Sequence, residues 1–197
     1  MKTYFLPRFT VSSVILVCVP AYAMAASLPS FDDVAGRYVI QPSSRITFTV
    51  GQVGTGGGIK GTFEKFSGTF NLQAGDVTRS TVSFALVPDS VQTGQQRIDT
   101  FLKSTAVFDT QNYSAISFRS TQITQTGPDT ALVAGELTAK GHKRQETFTV
   151  QLMRWNGSGI AFHVTGDVFR SRYAMDVGTP IYSNVVQFDM LIEGVRR

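Results

Sequence analysis

The chain is poor in the residues on which most protein chemistry relies. Its 197 residues include one cysteine, two histidines and one tryptophan, and only 16% are charged. The cysteine, Cys18, lies in an N-terminal segment with the features of an export signal. The exported chain is therefore expected to hold no thiol, which excludes disulfide staples, cysteine-based metal sites and cysteine nucleophiles. Two isolated imidazoles, His142 and His163, fall short of the three or four ligands a zinc site needs. Neither accompanies a G-x-S-x-G turn, so no serine nucleophile with a positioned base is legible. Basic residues are scattered, adjacent only at Lys143-Arg144 and Arg196-Arg197, and this gives no stripe to track phosphates. No catalytic residue, metal, cofactor or nucleic-acid partner is expected.

Long apolar runs are also missing. The run from Val11 to Val19 ends at Pro20, well short of the roughly 20 residues a spanning helix needs. With Lys2 and Arg8 before it, and Ala21-Tyr22-Ala23 and Ala23-Met24-Ala25 after it, the segment reads as a secretory signal peptide. Residues 1–26 are expected to be removed near positions 23–26, leaving 27–197 as one domain in the periplasm. Loss of Lys2 and Arg8 lowers the formal net charge from +4 to +2.

What the chain has in quantity is alternation. From Tyr38 onward apolar residues recur at every second position, the period of a strand whose side chains point to opposite faces. Ile46, Phe48 and Val50 form one set, and Val82, Phe84 and Leu86 a second. Phe148, Val150 and Leu152, then Ile160, Phe162 and Val164, then Val186, Phe188, Met190 and Ile192 repeat the scheme. Gly75-Asp76, Gly127-Pro128-Asp129, Lys140-Gly141 and Asn156-Gly157 separate the runs, as turn residues do. Only the segment around Gln95 to Lys103, with Ile98, Phe101 and Leu102 at helical spacing, reads as a helical connection, with a further turn at Ser30 to Val34.

The fold class is therefore all-β: an antiparallel up-and-down barrel of about eight strands, lipocalin-like, with one short helical connection. The clean alternations last mostly five to seven residues, short of the roughly 9–11 of a membrane strand, so the apolar face is expected to point inward. Gly56-Gly57-Gly58-Ile59-Lys60-Gly61 matches a dinucleotide-binding pattern, but the following Thr62-Phe63-Glu64-Lys65-Phe66 reads as strand where that motif needs a helix.

A barrel of this size is either filled by its own side chains or holds one small ligand. The wall expected to meet such a ligand is Phe48, Phe63, Phe84, Phe118, Phe148, Phe162, Phe188 and Met190, with Phe70 also facing in. Phe101, Phe108 and Gln52 are expected at one mouth. Met153 and Met190 are expected to adapt to an apolar guest, and Gly61, Gly68, Gly135 and Gly166 to leave it space. No polar cluster is legible in the lumen. Glu136 and Arg119 lie near strand ends, and Trp155 and Leu191 are read as outward apolar residues that permit a homodimer.

Several stretches, in order, carry a family resemblance. They are Tyr38-Val39-Ile40, Ser44-Arg45-Ile46-Thr47-Phe48, Gly61-Thr62-Phe63 with Phe66, Gly68 and Phe70, and Ser90-Val91-Gln92-Thr93-Gly94. Asp99, Leu102-Lys103-Ser104, Phe108-Asp109, Tyr113 and Phe118-Arg119-Ser120-Thr121 follow, then Gly135-Glu136-Leu137-Thr138-Ala139-Lys140-Gly141 and Val186 to Glu193. Together they resemble the YceI-like proteins, exported bacterial lipocalin-like barrels associated with polyisoprenoid binding. The resemblance implies a carrier for a long apolar ligand, a polyisoprenoid or isoprenoid quinone precursor. Binders of fatty-acid derivatives, or an enzyme acting on a small lipid, are the alternatives. This chain has Gln52 and Phe101 where family members often carry histidine, and Ser114 and Gln145 at usual proline positions.

Overall fold

Alternating residues make extended segments, and here the segments pair antiparallel into one closed sheet. The computed structural model describes Met1, residues 30–54 and residues 56–197. Apart from Met1, the expected leader 1–26 lies outside the described residues, as does Cys18. The strands are β1 (Gly36–Ile40), β2 (Arg45–Gln52), β3 (Ile59–Phe63), β4 (Phe66–Leu72), β5 (Thr81–Leu86) and β6 (Val91–Gln92). After a helix α1 (Gln96–Lys103) come β7 (Ile116–Gln125), β8 (Thr130–Ala139), β9 (His142–Trp155), β10 (Gly159–Phe169) and β11 (Tyr182–Arg196).

All ladders are antiparallel, and the order β1-β4-β5-β7-β8-β9-β10-β11 closes where β11 returns to β1. The six short strands are three long ones, each interrupted once. β1 and β2 both pair with β11, β4 and β3 pair with them in turn, and β5 and β6 follow. The result is an eight-stranded up-and-down barrel. Buried hydroxyls stand in for ladder bonds at two of the interruptions. Ser44 Oγ accepts from the Glu193 N–H at 2.9 Å, and Ser90 Oγ accepts from the Lys65 N–H at 2.9 Å while donating to the Val87 carbonyl at 2.7 Å. A buried backbone donor left without such a partner would carry a desolvation cost.

The apolar face points inward, but strand length does not decide it: β7 to β11 run 10 to 15 residues, longer than their clean alternations. Two bulges hide the rest of the pattern. An extra residue at Thr121 shifts β7 against β8, so the inward series passes from Phe118 to Ile123. An extra residue at Met153 does the same in β9 against β10. The parity change turns Trp155 against the core, contrary to its outward reading, with its indole N–H buried and without a partner. Met153 itself stands 50% exposed on the outside and lines no lumen. His142 opens β9 immediately after the turn, and the Lys140-Gly141 pair has positive φ at both positions, the geometry of a two-residue hairpin.

Contrary to expectation, the strand glycines do not leave empty space; aromatic rings occupy it at three of the four. A Cβ on Gly61 would lie 2.7 Å from the Phe48 ring, one on Gly135 2.6 Å from Phe118, and one on Gly166 2.5 Å from Phe148. At Gly68 the intruding atoms are Ile40 Cδ1 and the Ser83 carbonyl, each at 2.7 Å. Gly166→Ala is therefore expected to lower unfolding free energy by about 1–3 kcal/mol through overpacking against Phe148. Gly57→Ala, in the β2–β3 loop with open space around it, should stay within about 0.5 kcal/mol of the wild type. Guanidinium chloride unfolding of both variants checks the contrast.

Candidate functional site

Because the rings lie along the wall, the centre of the barrel is open. A cavity of about 230 Å³ runs through the lumen, and its lining is almost wholly carbon. All eight expected wall residues, Phe48, Phe63, Phe84, Phe118, Phe148, Phe162, Phe188 and Met190, border it, as does Phe70. Neighbouring rings brace one another: Phe118 meets Phe148 edge-on at 5.3 Å, and Phe148 meets Phe188 at 6.4 Å. These offsets are the favourable aromatic arrangement.

One end is plugged. Ser30 caps a 3-10 turn, Phe31–Asp33, whose Phe31 N–H donates to the Pro128 carbonyl at 3.0 Å. That bond directs Phe31 into the barrel, where it stacks on Phe162 at 6.2 Å beside the fully buried Val34. The other end is the mouth. There α1 lies beside β6, burying Leu102 while Phe101 stays 43% exposed at the cavity edge. Phe108 also borders the cavity and packs on Phe63 at 5.7 Å. Gln52 does not border it; its amide lies against Gly56 in the β2–β3 loop. Glu136 is on the outer face, paired with Lys143 at 3.0 Å, and Arg119 is exposed beside it in register.

The mouth also holds polar groups that the sequence reading missed. Arg170, buried at the end of β10, spends all five guanidinium N–H groups on protein. Nε donates to the Ser183 carbonyl at 2.7 Å, Nη1 to the Met175 and Val177 carbonyls at 2.7 and 2.8 Å. Nη2 donates to Thr179 Oγ1 at 3.0 Å and the Tyr182 carbonyl at 3.1 Å. One side chain thus ties down the β10–β11 connection and sets Met175, Val177 and Tyr182 at the cavity edge. Burial lowers the Arg170 pKa, partly opposed by Asp176. Nearby, the buried Glu146 carboxylate accepts from Tyr173 Oη at 2.8 Å and Arg172 Nη1 at 2.9 Å. Burial first, and then the bond to Glu146, push the Tyr173 hydroxyl pKa upward. Both Arg170 and Glu146 continue the inward parity of their strands, Val164-Gly166-Val168-Arg170 and Glu146-Phe148-Val150. Following that parity past the last apolar residue would have found them.

This arrangement defines a class: a closed, lipocalin-like β-barrel with an apolar lumen, plugged at one end and loop-rimmed at the other. The model of the YceI-like domain matches residues 38–193, and the chain belongs to that family. A UPF0312 protein of Ectopseudomonas mendocina is 24% identical over 185 residues, covering 90% of this chain and 96% of its own. One from Staphylococcus epidermidis is 26% identical over 147 residues, covering 68% and 83%. Among solved structures, BcnA of Burkholderia cenocepacia aligns with a TM-score of 0.72 at 21% identity, covering 78% of this chain and 98% of that one. A polyisoprenoid binding domain from Saccharophagus degradans aligns with a TM-score of 0.67 at 15% identity, covering 83% and 100%.

Two outcomes follow from the mouth. Arg170→Met strands several carbonyls and should cost about 2–4 kcal/mol, with new proteolytic cleavage within residues 171–181 as the direct readout. The Tyr173 phenol ordinarily titrates at 10 and is raised here. Its contribution is therefore complete below that value and lost as pH rises, because the unfolded chain releases the proton first. Stability measured by denaturant should fall as pH climbs above 10, and Tyr173→Phe should flatten that fall.

Proposed function

We propose that the protein, exported to the periplasm after removal of residues 1–26, binds the hydrocarbon tail of an apolar ligand in the barrel lumen. The observation that carries the reading is the carbon-lined cavity of about 230 Å³ opening at one mouth. It is half as large again as an engineered apolar void of about 150 Å³ that stays dry and takes up benzene. Each methylene moved from water into such a space contributes roughly 0.8 kcal/mol, so a tail of eight or so carbons outweighs a moderate cost of association. A polyisoprenoid or isoprenoid quinone precursor is the favoured ligand, supported by the shared fold of the polyisoprenoid binding domain from Saccharophagus degradans.

The same volume also favours a second reading. It lies below the roughly 300–1,000 Å³ of pockets that enclose drug-sized ligands, so a medium-length fatty-acyl chain fits the space as it stands. A longer isoprenoid then extends through the mouth. Binding rather than turnover is the reading favoured, supported by Glu146, the one buried carboxylate among the described residues, being held by Tyr173 and Arg172.

Native mass spectrometry of protein purified from its own periplasm, with solvent extraction, should release a co-purified lipid whose mass separates isoprenoid from fatty acyl. Val186→Trp, which adds bulk at a cavity-lining position, should exclude about three methylenes and weaken binding by roughly 2 kcal/mol, on the order of thirtyfold. A lumen that releases nothing and takes up no added lipid would end this reading.

A further inference from the structure

The loops at the two barrel ends present different surfaces to water. At the plugged end, residues 73–80, 126–129 and 156–158 carry no exposed large apolar side chain. At the mouth, Val53 is 74% exposed and Ile181 60%, with Phe101 and Val177 also exposed. These four come from three separate connections. The Val53 N–H donates to the Ile181 carbonyl at 2.9 Å, which holds two of the tips side by side. Phe101 and Val177 also border the cavity, so the exposed apolar rim runs on into the lumen.

The remaining connection at this end supplies positive charge. The β8–β9 turn and the start of β9 read Lys140-Gly141-His142-Lys143-Arg144. Lys140 Nζ donates to the Ala174 carbonyl at 2.9 Å, which joins this turn to the β10–β11 connection. Arg144 bonds only the Lys143 carbonyl, and neither Lys140 nor Arg144 has a carboxylate partner among the described residues. The exposed Asp176 lies on the neighbouring connection, and these two cations outnumber it.

We propose that the mouth is a membrane-docking surface. Val53, Phe101, Val177 and Ile181 enter the interfacial layer of a bilayer, and Lys140 and Arg144 face anionic phospholipid head groups. Buried apolar area and attraction to anionic lipid are the two contributions that hold a protein at that depth. The inference rests on the apolar-ligand reading in one respect: a tail longer than the lumen then passes between bilayer and barrel without crossing water.

The test is flotation of the mature protein with two kinds of vesicle, phosphatidylcholine alone and phosphatidylcholine mixed with phosphatidylglycerol. The wild type should float with the mixed vesicles, less so as salt is raised. Val53→Asp/Ile181→Asp changes two residues that do not border the cavity and should weaken flotation about tenfold or more. Lys140→Gln/Arg144→Gln should weaken it roughly fivefold per charge removed, on the anionic vesicles only. Uptake of a fluorescent fatty acid in vesicle-free solution should be unchanged in the Val53/Ile181 variant. Loss of that uptake in the wild type, with flotation intact, overturns the cavity reading and leaves docking standing. A wild type that floats with neither vesicle, or an aspartate variant that floats as well as the wild type, overturns docking. So does a wild-type dimer that the aspartate pair converts to monomer with no vesicle binding by either, because the rim then joins two copies.

Discussion

Eight strands close around an interior that a set of phenylalanines standing upright would fill, and the lumen stays open because several of them lie down. Phe48 rests over Gly61, Phe118 over Gly135, Phe148 over Gly166 and Phe70 over Gly194. Each ring takes the space that a neighbouring strand's Cβ would occupy. The wall gains a layer of buried aromatic carbon, and the middle is left without side chains. Overpacking at any of these glycines would force a ring inward, so wall stability and lumen volume depend on the same contact.

The ends of the barrel follow from that hollow. An open apolar lumen needs a stopper and a rim whose polar groups are satisfied without lining the hole. Phe31 and Val34 supply the stopper through one backbone bond to Pro128. At the rim, Arg170 exhausts its donors on four carbonyls and a hydroxyl, and Glu146 is held by Tyr173 and Arg172. Buried charges are tolerated when their hydrogen-bonding capacity is met, and here they shape the loops that rim the lumen. Gln52 turns onto its own loop and Phe101 joins the lumen edge. The cavity-lining residues with polar side chains are Ser117, Arg170, Tyr173 and Tyr182, and the donors of Arg170 and Tyr173 are already spent within the protein.

Much of this was legible in the chain before folding. The clean alternations, such as Phe148 to Leu152 and Val186 to Ile192, announced strands and which of their residues share a face, although β9 and β11 run on well past them. The helix showed itself through Ile98, Phe101 and Leu102. What was not legible lies where a bulge adds one residue: beyond Thr121 and Met153 the parity reverses, and Trp155 was assigned to the wrong face while Ile123 went unnoticed. Polar residues at inward parity were also passed over, because a search for alternating carbon stops at the first charge.

By itself, then, the sequence determined strand period, hairpin positions and the aromatic character of the inner face, since these depend on neighbours one or two residues apart. Only the tertiary structure decided whether that face met itself or left a hollow. That outcome depends on which ring crosses onto which glycine in the adjacent strand, and on which carbonyls gather around Arg170. Such contacts join residues distant along the chain, where spacing and composition carry no information about angle or fit.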